Sequence, residues 1–177
     1  PGLALYGVAP HAGLQGDLRP ALALKTQVIF LKDHPAGSPI GYGREHVTAR
    51  RTRVAVLPVG YSDGYAFRLG GRAEVIVRGR RAPVVGRVSM DYLTVDVGQV
   101  PGVCVGDEVI LIGSSGTESV TAAELAQRAG TIVYETFTRI GKRVARVYRG
   151  GGARAERGFT VVRRPQGRDT ETLPGRR

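Results

Sequence analysis

The sequence predicts a mostly-β domain, a barrel or a sandwich, with one or two short helices. Three observations carry that prediction. Short runs rich in valine, isoleucine and threonine recur at close spacing between glycine and proline turns. The run ALALKTQVIFLKD alternates with a period of two, placing Leu22, Leu24, Thr26, Val28 and Phe30 on one face. Only SVTAAELAQRAG carries a full set of helix signals.

Taken in order, PGLALYGVAP at 1–10 reads as an apolar strand, with Leu3 and Leu5 on one face and Ala4 and Tyr6 on the other. The sole methionine is Met90, so a strand already under way at Pro1 reads as part of a longer protein. After the alternating run comes SPIGYG, short and interrupted by glycine. TRVAVLPVG reads as a buried strand ending at Gly60, followed by the turn YSDG. AEVIVRGRRAPVV reads as a hairpin, with Val75 and Val77 before a turn at Arg78, Gly79 and Arg80, and Val84 and Val85 after it. YLTVDVG and DEVILIG give two more strands. Thr121 is placed to cap a helix, and Glu124 to close a capping box with it. Ala122, Leu125, Ala126 and Ala129 form the apolar stripe of that helix, and Gly130 stops it. TIVYETFTRIG suggests a second short helical piece, and RVARVY a last strand. From Gly150 onward the chain is rich in glycine, arginine and proline, which predicts a mobile tail over 150–177.

Composition narrows the function. The 177 residues are 42% hydrophobic and 23% charged, a globular balance for one domain with a tail. No apolar run is long enough to cross a bilayer, and no secretory signal opens the chain, which suggests a soluble, cytoplasmic protein. Cys104 is the only cysteine, so no internal disulfide forms; its valine neighbours suggest a small buried thiol. His11, His34 and His46 lack metal-ligand spacing, and no metal site is expected. The net charge of +11 suits a nucleic-acid binder, yet no stacking motif, finger or helix-turn-helix pattern accompanies it. Only Lys25, Lys32 and Lys142 are lysines, and 150–177 holds seven arginines against three acids, so solvated arginines explain the charge.

Three places are rich in chemistry. GYGR at 41–44 flanks Tyr42 with glycines and presents its phenol in the open. GYSDGY at 60–65 is a tight polar turn. GRVSMD at 86–91 places Arg87, Ser89 and Asp91 on one face of a strand end, alternating with Val88 and Met90. Each alone has an ordinary structural explanation. In this order, together with VYETFTRIGKRVARVYRG, they resemble the C-terminal domain of alanine racemases. PGLALYG resembles the segment that closes that family's N-terminal barrel.

The resemblance implies a Greek-key-like β-barrel over 11–149, preceded over 1–10 by the last strand of an α/β barrel that lies outside this sequence. It also implies an enzyme that interconverts L- and D-alanine, supplying D-alanine for bacterial peptidoglycan. Pyridoxal 5'-phosphate acts in that reaction as an electron sink. Racemisation needs two bases on opposite faces of the substrate. In the family one is the lysine that anchors the cofactor and the other is a tyrosine, matched here by Tyr42. A phenol with an ordinary pKa of about 10 needs nearby positive charge or hydrogen bonds to work near neutrality. The family's dimer implies that Tyr42 acts in the partner subunit's site. Met90 matches the residue whose backbone binds the substrate carboxylate, while Asp91 has a structural part. Tyr134 matches a tyrosine that bonds the cofactor phosphate, and Gly2 and Leu3 the amides that cradle it. Tyr61 and Arg87 match positions near the substrate access channel. A basic residue usual six positions after Tyr61 is replaced by Phe67, with Arg68 next to it. None of the three lysines matches the cofactor lysine, and the arginine that meets the pyridine nitrogen falls outside the sequence, so this stretch alone is expected to be inactive. The alternatives are a basic β-barrel that binds protein or nucleic acid without catalysis, and a serine or broad-specificity racemase.

Overall fold

The computed structural model describes residues 2–9, 18–149 and 158–162. A single helical turn, α1 (Gly2–Leu5), leads into β1 (Leu22–Gln27) and β2 (Phe30–His34). The small strands β3 (Pro39–Ile40) and β4 (His46–Val47) pair only with each other. Then come β5 (Thr52–Leu57), β6 (Glu74–Val77), β7 (Arg80–Val85), β8 (Leu93–Asp96), β9 (Glu108–Ser115) and β10 (Glu118–Val120). Two helices follow, α2 (Ala122–Ala129) and α3 (Val133–Thr138), and the chain returns through β11 (Ala145–Arg149) and β12 (Gly158–Val162). Ten strands form one sheet in the order β11-β12-β1-β9-β6-β7-β8-β5-β2, with β10 added beside β9. Every pairing in it is antiparallel except β1 with β12.

The alternating run supplies two strands rather than one. The Val28 N–H donates to the Asp107 carbonyl at 2.9 Å, next to β9, whereas the Ile29 N–H donates to Val56 in β5 at 3.0 Å. One extended segment therefore crosses from one half of the sheet to the other and curls the sheet round on itself. Leu22, Leu24, Thr26 and Val28 are buried as the period predicts, but Phe30 lies past the crossing and is exposed. The enclosed core holds Leu24, Val28, Leu57, Val75, Val77, Leu93, Val95, Val109, Leu111 and Leu125. Fully burying each such side chain contributes about 1.5–3 kcal/mol.

Local chemistry explains the boundaries. The β6–β7 hairpin turns on Arg78 and Gly79, both with positive φ (50° and 72°), as a two-residue hairpin requires. β5 stops at Leu57, short of the expected Gly60, because Pro58 has no N–H for the ladder. In α2 the Thr121 hydroxyl accepts from the Glu124 N–H at 3.0 Å, and Gly130 closes the helix in the left-handed region at φ 68°. The capping box is only half made, since the Glu124 carboxylate turns outward to Arg81.

Four further expectations need correction. Residues 2–5 are a turn of helix, not a strand: the Leu3 and Ala4 carbonyls accept from Tyr6 and Gly7 at 2.9 and 3.0 Å, and no described strand pairs with them. Cys104 is exposed, because it sits in the turn before β9, where Val103 is the buried neighbour. GRVSMD is not a strand end. Gly86, at φ 68°, ends β7, and Ser89 closes a turn with Tyr92, so Val88 is buried while Met90 faces out. Within the expected tail, 158–162 form β12 between β1 and β11; the rest of 150–177 lies outside the described residues.

Candidate functional site

Two of the polar motifs, GYGR and GYSDGY, each pack against the third, GRVSMD. Tyr42 opens a single helical turn in which Gly41, Gly43 and Arg44 all have positive φ (72°, 78° and 53°). That backbone favours glycine and leaves the phenol 75% exposed. The turn rests on the start of GRVSMD. A Cβ on Gly43 would lie 3.3 Å from the Arg87 guanidinium carbon, and one on Gly86 3.0 Å from the Ile40 carbonyl. Arg87 also pairs with Glu45, on the far side of the Tyr42 turn. The Arg87 hydrogen bond holds the Glu45 carboxyl below its ordinary pKa, and that same bond raises the pKa of Arg87.

GYSDGY and GRVSMD touch through their backbones. A Cβ on Gly60 would fall 2.3 Å from both the Ser89 and the Met90 carbonyl oxygens, so only glycine permits this approach. Ser89 accepts from the Tyr61 N–H at 3.0 Å, and Met90 accepts from the Ser62 N–H at 3.1 Å and the Ser62 hydroxyl at 2.6 Å. All peptides here are trans, so each N–H points opposite to its carbonyl. Because the Ser89 carbonyl faces the 60–62 turn, the Met90 N–H faces away from it, and no hydrogen bond among the described residues engages it. The Met90 side chain is 53% exposed. Asp63, buried, accepts the Gly60 N–H at 3.0 Å and fixes the turn from inside.

Arg143, which sequence reasoning missed, ties the two turns together. Its guanidinium donates to Ser62 Oγ at 2.5 Å and to Asp91 Oδ1 at 2.6 Å, and lies 3.6 Å from Asp63 Oδ1. The bond to Asp91 is the main reason its pKa is raised. These partners are 81 and 52 residues away, so nothing local in GKRVARVYRG marks this arginine. Asp91 thus has the structural part expected of it. Phe67 meets Tyr61 edge-on at 6.3 Å, while Arg68 reaches toward Gly130; both line a cavity of about 420 Å³ with Glu135 and Arg139. The residue that meets the Tyr61 ring is therefore aromatic.

Gly2, Leu3 and Tyr134 gather elsewhere. Tyr6 stacks on Phe137 at 4.8 Å, which docks α1 against α3. A Cβ on Gly2 would lie 3.9 Å from the Tyr134 ring. Leu3 and Tyr134 both line a largely apolar cavity of about 750 Å³, and Tyr42, Tyr61, Arg87 and Met90 do not. The Gly2 and Leu3 N–H groups begin α1 and have no carbonyl within the helix to reach. No described residue hydrogen-bonds the Tyr134 hydroxyl.

Part of the positive charge is paired among the described residues. Arg53, Arg78, Arg81, Arg87, Arg128, Arg139 and Arg143 all form ion pairs. Lys25 pairs with Glu108 at 2.8 Å, and none of the three lysines lines the large cavity. No group of metal-ligating side chains occurs among the described residues, and no described helix is long and apolar enough to cross a membrane.

Comparison with known proteins points to one family. The family pattern described as "Alanine racemase, C-terminal domain" matches residues 21–148. An alanine racemase of Halothermothrix orenii is 47% identical over 151 residues, covering 84% of this chain and 40% of that protein. The crystal structure of alanine racemase from D-cycloserine producing Streptomyces lavendulae superposes with a TM-score of 0.77 at 41% identity, over 85% of this chain and 40% of that one. That of Bartonella henselae, with covalently bound pyridoxal phosphate, superposes at 0.74 and 33% identity, over 80% and 39% of the two chains. This chain thus spans about 40% of the length of the curated relatives it matches. It belongs to the family of alanine racemase C-terminal domains.

Proposed function

We propose that this chain is the C-terminal part of a pyridoxal-phosphate-dependent racemase that interconverts L- and D-alanine, with Tyr42 as one of its two bases. The observation that carries the reading is an exposed phenol on a turn that packs against Arg87, three residues before an unengaged N–H at Met90. A base and a carboxylate-binding donor are what this chain contributes to proton abstraction from a small amino acid. The second group, Gly2, Leu3 and Tyr134, lines or adjoins a different cavity. Two groups of site residues that share no cavity suit a homodimer in which each is completed by the other subunit.

The residues present fit the cofactor. A phosphate dianion needs converging N–H and O–H donors. Gly2 and Leu3 offer two N–H groups, and Tyr134, whose ring lies beside Gly2, offers an unengaged hydroxyl. When bound, pyridoxal phosphate supplies an electron sink that lowers the cost of removing the α-proton. Tyr42 takes that proton from L-alanine and, in the reverse direction, returns a proton to the same face to form L-alanine; the opposite face is served by the base outside this sequence. The Met90 N–H holds the carboxylate in place meanwhile. The anchoring lysine comes from polypeptide outside this sequence, and this stretch alone does not racemise. The setting we infer is the bacterial cytoplasm, where D-alanine feeds peptidoglycan synthesis.

The test is a subunit mixture. In the enzyme that contains this sequence, Tyr42→Phe and a variant lacking the cofactor lysine are each inactive. Mixed dimers regain racemisation if Tyr42 serves the partner's site, because one site then holds both intact groups. If mixing restores nothing, Tyr42 does not act across subunits.

A further inference from the structure

We propose that Arg143 is a positioning residue for the carboxylate-binding N–H of Met90, an inference that rests on the racemase reading above. Its three contacts span both turns of the junction. From the 60–63 turn it holds Ser62 Oγ at 2.5 Å and faces Asp63 Oδ1 at 3.6 Å; from the 89–91 turn it holds Asp91 Oδ1 at 2.6 Å.

The link to Met90 runs through Ser62. A serine hydroxyl has one proton to give and lone pairs to receive. Arg143 donates to the oxygen, so the proton goes to the Met90 carbonyl at 2.6 Å; Asp91, at 3.4 Å, is the poorer acceptor. The guanidinium therefore polarises the hydroxyl that holds this carbonyl and also grips the next side chain along. Both peptide planes flanking Met90 are pinned through their carbonyls, Ser89 by the Tyr61 N–H and Met90 by Ser62. With both carbonyls aimed into the 60–62 turn, the Met90 and Asp91 N–H groups leave on the opposite side.

Arg143 sits just after α3, whose first turn carries Tyr134. The side chain that aims the Met90 N–H is thus carried by the same short segment that offers a phosphate donor to the other half-site. The guanidinium is half-exposed, and such pairs add little to folding stability. Its removal shows in geometry instead.

The experiment uses the complete racemase and four variants: Arg143→Met, Arg143→Lys, Ser62→Ala and Tyr42→Phe. Two constants are read: the alanine KM, and the inhibition constant of propionate, a carboxylate of the same carbon skeleton without the amino group. Arg143→Met raises both by the same factor, about tenfold, with kcat and cofactor content little changed. Arg143→Lys recovers part of the loss. Ser62→Ala, which keeps the buried Asp63 paired, shifts both constants the same way by less. If neither Arg143→Met nor Ser62→Ala moves them while Tyr42→Phe still abolishes turnover, Arg143 has no such role and the racemase reading stands. If Tyr42→Phe turns over normally, the racemase reading fails and takes this inference with it.

Discussion

Replacing Gly60 by alanine places a methyl group 2.3 Å from two carbonyl oxygens, those of Ser89 and Met90. Carbon and carbonyl oxygen ordinarily approach no closer than about 3.3 Å. Both oxygens are backbone, so no side chain can swing aside; the two turns must separate by about 1 Å to restore that contact. Gly60 itself has φ −149° and ψ −165°, an extended conformation open to alanine, so the cost is steric and not conformational. Separation breaks or stretches three hydrogen bonds: Tyr61 N–H to Ser89, and the Ser62 N–H and hydroxyl to Met90. At about 1 kcal/mol each the loss is about 3 kcal/mol of stability. The functional loss is larger, because displacing a substrate-positioning group by about 1 Å costs about a hundredfold in kcat/KM. Urea denaturation measures the first quantity and racemisation kinetics of the complete enzyme the second. A variant with wild-type stability and wild-type kcat/KM would refute both the contact and the importance of where Met90 sits.

Two further predictions rest on buried or paired groups. Tyr65 is 2% exposed, its hydroxyl has no hydrogen-bond partner among the described residues, and burial pushes its pKa far above the ordinary phenol value. Tyr65→Phe removes that unsatisfied hydroxyl and stabilises the fold by about 1 kcal/mol in urea denaturation; a comparable destabilisation would reveal a partner. The Glu124 carboxyl is held below the ordinary glutamate pKa, first by its hydrogen bonds to Arg81. A depressed carboxyl stabilises the fold above its unfolded pKa of about 4.3, and that contribution is lost as the pH falls through the lower folded value. Glu124→Gln thus costs about 1 kcal/mol near neutrality, and the gap from wild type closes toward about pH 3; a gap independent of pH contradicts the assignment.

What the sequence revealed follows the range of the interactions involved. The helix stripe of Ala122, Leu125, Ala126 and Ala129, the Thr121 cap and the Gly130 stop are all local, and all hold. The hairpin over Arg78 and Gly79 holds for the same reason. Periodicity placed Leu22 through Val28 correctly but failed at Phe30, since hydrophobic alternation does not reveal where a strand changes partners. Composition misjudged 158–162, whose pairing with β1 is set by a strand 130 or more residues earlier. Valine neighbours misplaced Cys104, where the turn geometry decides. At the site, the exposed Tyr42 was legible because its flanking glycines advertise the bend. Arg143 and the Arg87–Glu45 pair were not, because an arginine's partners are chosen by the fold and not by its neighbours.

The most direct measurement follows the α-hydrogen of each enantiomer in deuterated water with the complete enzyme carrying Tyr42→Phe. If the Tyr42 phenol serves the L-face, this variant no longer exchanges the α-hydrogen of L-alanine but still washes deuterium into D-alanine without inverting it. Equal loss in both enantiomers, or undiminished exchange in L-alanine, would contradict the assignment of that phenol as the L-face base.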